Sequence, residues 1–161
     1  DEYGPIALYN AQFTPPENPL SADARVQLAQ DNLSTHLIPY ITAHPETQFD
    51  IFFPPYSAAE WATMQSKGTL EAMLTLRGLC YDALSVCDNV TIYDFSARAD
   101  WVLDLNNYKD TLHYGEWIND AITACIARGE SVVSSRDALD AATDQLRAWA
   151  NAQIEAGGWI F

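Results

Sequence analysis

Apolar residues recur at helical spacing between Asp23 and Ala43, where Val26, Leu28, Ala29, Leu33, Leu37, Ile38 and Ile41 form one stripe. Ser21 stands where an N-cap belongs, and Pro39 predicts a kink or an early end. His44-Pro45 stops the helix. Phe49–Phe53 is short, aromatic and β-branched, and Pro54-Pro55 closes it, which predicts a buried strand of a parallel sheet. Ser57-Ala58-Ala59-Glu60 has the form of a capping box and opens a helical stretch to about Ser85, with a break at Lys67-Gly68. Asn89–Phe95 predicts a second strand, followed by a polar loop over roughly 96–112. Trp117, Ile118, Ala121, Ile122, Cys125 and Ile126 predict a helix over Tyr114–Ala127, closed by Arg128-Gly129. A last amphipathic helix is expected over Ser135–Ala156, with Leu139, Ala142, Leu146, Trp149 and Ile154 on one face. Residues 1–20, punctuated by Pro15-Pro16 and Pro19, are expected to be irregular.

Helix, strand, helix, strand, helix is the order of a parallel sheet with crossover helices. Only two convincing strands are visible, and such a pair covers neither its faces nor its edges well. The pattern therefore reads as part of a larger α/β unit. Residues 1–129 are expected to form the α/β portion and 130–161 a helical extension packed on it.

Composition narrows the function classes. The 161 residues include 8 Lys and Arg against 22 Asp and Glu, a formal charge of −14. Nucleic-acid affinity rests on cations that release counterions, so a nucleic-acid partner is not expected. Docking on anionic lipid is disfavoured for the same reason. No stretch approaches the roughly 20 apolar residues of a membrane span. The start at Asp1-Glu2-Tyr3, without a methionine, reads as a processed or trimmed terminus. Cys80, Cys87 and Cys125 form no C-x-x-C pair, and free thiols are expected.

In open parallel sheets, ligands bind beyond the carboxyl ends of the strands. Two segments leave the strands there: Pro54-Pro55-Tyr56-Ser57, and the loop that leads to Asn107-Tyr108-Lys109-Asp110-Thr111-Leu112-His113-Tyr114. Asp110 and His113 make a D-x-x-H pair. At that spacing a carboxylate can hold the near imidazole nitrogen and leave the far one as a base. The same pair could equally serve as a cap at a helix start. Ser57 is the one serine placed as a nucleophile, although the capping box already accounts for it, and Tyr56 stands beside it. Trp101, in the loop, is a candidate for substrate contact. Asp94, Asp100 and Asp104 cluster with Asp110 near one loop but lack metal-loop spacing, so no metal or cofactor is expected. His36 and His44 have no acidic partner at ligand spacing.

Taken in order, Phe49–Ser57, Val90–Phe95 and Asn107–Tyr114 resemble the C-terminal part of an SGNH/GDSL-type hydrolase-like protein associated with bacterial surface-polysaccharide modification. The resemblance covers roughly residues 22–128, and the Asp-His block is its most telling part. It implies part of a flavodoxin-like three-layer α/β/α parallel sheet with an added C-terminal helix. It also implies serine-dependent ester hydrolysis or acyl transfer on an acylated glycan or similar ester, with His113 as general base and Asp110 as its orienter. An extracytoplasmic site, periplasmic or at the cell surface, follows by the same analogy. The Gly-Asp-Ser-like nucleophile block and the Gly-x-Asn-Asp block are absent from this chain. The resemblance thus implies that the nucleophile comes from an N-terminal remainder of the same protein. The alternative is a non-catalytic α/β binding or scaffold module.

Overall fold

A computed structural model describes residues 2–11 and 20–157. Helix α1 (Pro5–Asn10) lies in the stretch expected to be irregular. Pro5 occupies the first turn, where a missing N–H costs nothing and a fixed φ favours the helix. Leu8 anchors this helix by packing against Ala59 and Tyr108. Pro15-Pro16 and Pro19 lie outside the described residues.

Helix α2 (Ala22–Asn32) starts at Ser21, whose hydroxyl accepts from the Ala24 N–H at 3.2 Å. It passes through a π-helical turn (Leu33–Leu37) into α3 (Ile38–Ala43). Pro39 therefore does not end the helix. Proline lacks the N–H of an α-helical bond and its ring crowds the preceding turn, and the wider π turn relieves both. His44 then closes α3 through a 2.7 Å bond from Nδ1 to the Tyr40 carbonyl.

Strands β1 (Phe49–Phe53) and β2 (Val90–Asp94) pair in parallel, Phe49 opposite Val90 and Phe53 opposite Asp94. Between them run α4 (Ala58–Ser66) and α5 (Leu70–Leu84). Ser131–Val133 covers the other edge of β2: Asp94 N–H donates to Ser131 O, and Val133 N–H to Ile92 O. The architecture is mixed α/β, 62% helical, with two parallel strands in one sheet. The sheet of the described residues has these two strands alone, short of the three-layer flavodoxin-like sheet expected.

Successive side chains of β2 point to opposite faces. Ile92 joins Ile41 and Leu84 on one face, while Tyr93 joins Phe95, Ile118 and Ile122 on the other. The second group comes from α7 (Glu116–Arg128), which ends at Gly129 with φ 66°, a left-handed conformation suited to glycine. Helix α8 (Arg136–Glu155) buries Leu146 and Ala150 against Trp61, Leu70 and Leu74 of α4 and α5. The C-terminal helix thus shares a core with the α/β portion. Arg77 is buried on α5 and bonds Asp94 Oδ2 at 2.7 Å and the Ser96 hydroxyl. The three cysteines are free. No helix among the described residues is long and apolar enough to cross a membrane.

Candidate active site

The loop after β2 is more ordered than its polarity suggests. It contains a short helix, α6 (Ala99–Val102), and a 3₁₀ turn at Leu105–Asn107. Tyr108 is fully buried, and its hydroxyl donates to the Pro55 carbonyl at 2.6 Å. Tyr108 and Tyr114 form an antiparallel bridge, and Lys109 N–H donates to His113 O. Residues 109–113 are therefore a tight loop with both ends clamped.

Within it, Asp110 Oδ1 accepts from the backbone N–H groups of Leu112 and His113 at 2.8 and 2.7 Å. That turn leaves Oδ2 free to meet His113 Nδ1 at 2.6 Å. Burial raises the Asp110 pKa, but the bonds from His113 and Leu112 prevail and hold its carboxyl below the usual range. An ionised carboxylate can only accept, so Nδ1 carries the proton of the neutral ring and Nε2 is a bare base. The His113 side chain is 67% exposed against 28% for Asp110, so the ring lies largely open to solvent.

Thr111 fastens the loop to the segment after β1. Its carbonyl accepts from both the N–H and the hydroxyl of Ser57, and its own hydroxyl donates to Glu60 Oε2. Ser57 still caps α4 by accepting from the Glu60 N–H at 3.2 Å. Glu60 does not complete the reciprocal half of the capping box, because its carboxylate holds Thr111 instead.

The structure brings together Asp110, His113 and the surroundings of Ser57, but it assigns the expected residues different roles. The Ser57 hydroxyl is fully buried and spent on the cap and on Thr111. The hydrogen bonds of His113 run to Asp110 and Lys109, with no serine among them. Tyr56 is half-buried beside Trp61, and burial followed by the Glu60 charge raises its phenol pKa, so it stays protonated at neutral pH. Trp101 lies in the core rather than at the site, stacked on Phe95 at 5.7 Å and covered by the Arg98 guanidinium. Sequence pattern placed it in a loop, and α6 turns it inward. The aspartates near the loop diverge: Asp94 holds Arg77 and Ser96, Asp100 holds Arg98, and Asp104 caps the 3₁₀ turn. Among the described residues no cluster of three or more His, Cys, Asp or Glu could hold a metal ion.

One feature was not foreseen from the sequence. Asp110–His113 forms part of the wall of a groove of about 1380 Å³, bounded by α2 and α3 on one side and by α4 and α5 on the other. Leu28 and Ala29 of α2 line this groove together with Leu33 and Leu37 of the π-helical turn, and no α2 residue is buried.

No family model matches the chain. No curated protein and no solved structure matches it either.

Proposed function

We propose that this chain supplies the Asp-His half of an SGNH-type serine esterase or acyltransferase, as part of a larger flavodoxin-like α/β unit. The observation that carries the reading is the Asp110–His113 bond at 2.6 Å, made by a carboxylate already oriented by two backbone N–H groups. A carboxylate fixed in this way sets the ring's tautomer and stabilises the imidazolium that forms when the ring takes a proton.

In the proposed reaction, His113 Nε2 removes the proton of a serine hydroxyl supplied by residues outside this chain. The serine oxygen attacks the ester carbonyl, and the tetrahedral intermediate expels the alcohol, which takes the proton from His113. Water, or an acceptor hydroxyl of a glycan, then attacks the acyl-serine with His113 again as base, and the serine is regenerated.

A second reading, a non-catalytic binding module, is favoured by the burial of Ser57 and its commitment to structural bonds. Turnover of a p-nitrophenyl ester by the full-length protein, with and without His113→Ala, separates the two. The hydrolase reading expects kcat to fall by about three to four orders of magnitude with the fold retained. An unchanged rate, or no ester turnover at all, would leave the binding module.

A further inference from the structure

A Ser-x-x-Glu capping box ordinarily closes on itself. The serine oxygen takes the N–H three residues on, and the glutamate carboxylate takes the serine N–H. At the start of α4 only the first half is made. The Ser57 N–H goes instead to the Thr111 carbonyl, and Glu60 Oε2 accepts from the Thr111 hydroxyl. The Ser57 hydroxyl also donates to that carbonyl, so three hydrogen bonds from one helix start converge on one loop residue. The bond from hydroxyl to carboxylate is charge-assisted, and such bonds are roughly twice as strong as neutral ones.

Through Thr111 this hold reaches the Asp-His pair. The peptide bond between Thr111 and Leu112 is planar, so its C=O and N–H cannot turn independently. Ser57 holds the C=O, and Asp110 Oδ1 takes the N–H at 2.8 Å. Fixing Thr111 therefore fixes the turn that aims Asp110 Oδ2 at His113 Nδ1. The other end of the hold is rigid. Glu60 stands on α4 between Ala59 and Trp61, both 2% exposed, and the Trp61 indole N–H donates to the Tyr56 carbonyl at 3.1 Å. The Glu60 carboxylate takes no part in capping α4, so its removal leaves the Ser57 cap in place.

We infer that Glu60 is a positioning residue for the Asp110–His113 pair, acting through the Thr111 hydroxyl. That the pair so positioned removes a serine proton rests on the function proposed above; the positioning itself needs no nucleophile.

Two measurements test it. In the 161-residue chain, nitrogen-15 shifts of neutral His113 should show the Nδ1–H tautomer alone. Glu60→Ala and Thr111→Val should each add the Nε2–H tautomer. The double variant should match either single one, because both remove the same bond. Glu60→Gln keeps an acceptor for the Thr111 hydroxyl and should restore the parent pattern. In the full-length protein, Glu60→Ala should lower kcat for a p-nitrophenyl ester by about 10- to 100-fold with KM unchanged. In an Asp110→Asn background it should lower kcat no further, whereas a general loosening of the fold would lower both. An unchanged tautomer in Glu60→Ala, an equal loss in Glu60→Gln, or an additive double variant would overturn the inference. A shifted tautomer together with ester turnover indifferent to His113→Ala would leave the positioning standing and overturn the hydrolase reading alone.

Discussion

Ser57 and Thr111, 54 positions apart, share two hydrogen bonds: the N–H and the hydroxyl of Ser57 both donate to the Thr111 carbonyl, at 3.2 and 2.8 Å. The contact ties the loop bearing Asp110 and His113 to the start of α4. A cap residue that also anchors a distant loop is a positioning element. Ser57→Ala should therefore cost about 1–2 kcal/mol. For a chain of this size that corresponds to a fall in Tm of about 2–8 °C by scanning calorimetry. An unchanged Tm would show that the tether contributes little.

Asp110→Asn preserves shape but reverses one hydrogen bond. The amide oxygen can still accept from the Leu112 and His113 N–H groups, while the amide nitrogen becomes a donor toward Nδ1. The ring must then carry its proton on Nε2 and can no longer act as a base there. Nitrogen-15 shifts of the neutral imidazole should show Nδ1–H in the parent chain and Nε2–H in the variant. The same tautomer in both would mean that Asp110 does not control the ring.

Pattern and capping revealed most of the elements, because β1, β2, α4, α7 and α8 are marked by local residues such as Ser57, Gly129 and the Ile118–Ile122 spacing. Proline gave the weaker signals, for a physical reason. Pro5 helps to start α1 and Pro39 is absorbed by a π turn, so proline punctuates a helix only where the backbone cannot adjust. The D-x-x-H spacing pointed to the Asp110–His113 contact, since a single turn suffices to make it. Burial of Trp101 and exposure of the α2 stripe were not legible, because both depend on which distant surface packs against them. The same holds for the pairing of cations: nothing in the sequence separates Lys67, which has no carboxylate partner among the described residues, from Arg147, which holds Glu71 and Asp144.

Asp110 also gives the loop an acid-sensitive component. Its carboxyl titrates below the usual range when folded, so its contribution to stability is fully present above the unfolded value of about 3.9. That contribution is lost as the pH falls through the lower, folded value. Urea unfolding should therefore find Asp110→Asn less stable than the parent chain at pH 7, with the difference shrinking toward pH 2. A difference independent of pH would assign the effect to something other than the ionised carboxylate.

Arg77 and Asp94 form the buried ion pair of the core, with side chains 4% and 9% exposed. Removing one partner strands a charge in low dielectric, so Asp94→Ala should cost about 3–5 kcal/mol in urea unfolding. Arg77→Met combined with Asp94→Leu should recover much of that loss, because neither charge is then left buried alone. A single-variant cost below about 1 kcal/mol would mean that water reaches Arg77.

The central claim, that His113 is the base for a serine outside this chain, is met most directly by fluorophosphonate labelling of the full-length protein with peptide mapping by mass. The expected result is one adduct, on a serine outside these 161 residues, whose formation is abolished by His113→Ala. An adduct on Ser57, or labelling that proceeds undiminished in the His113→Ala protein, would contradict it.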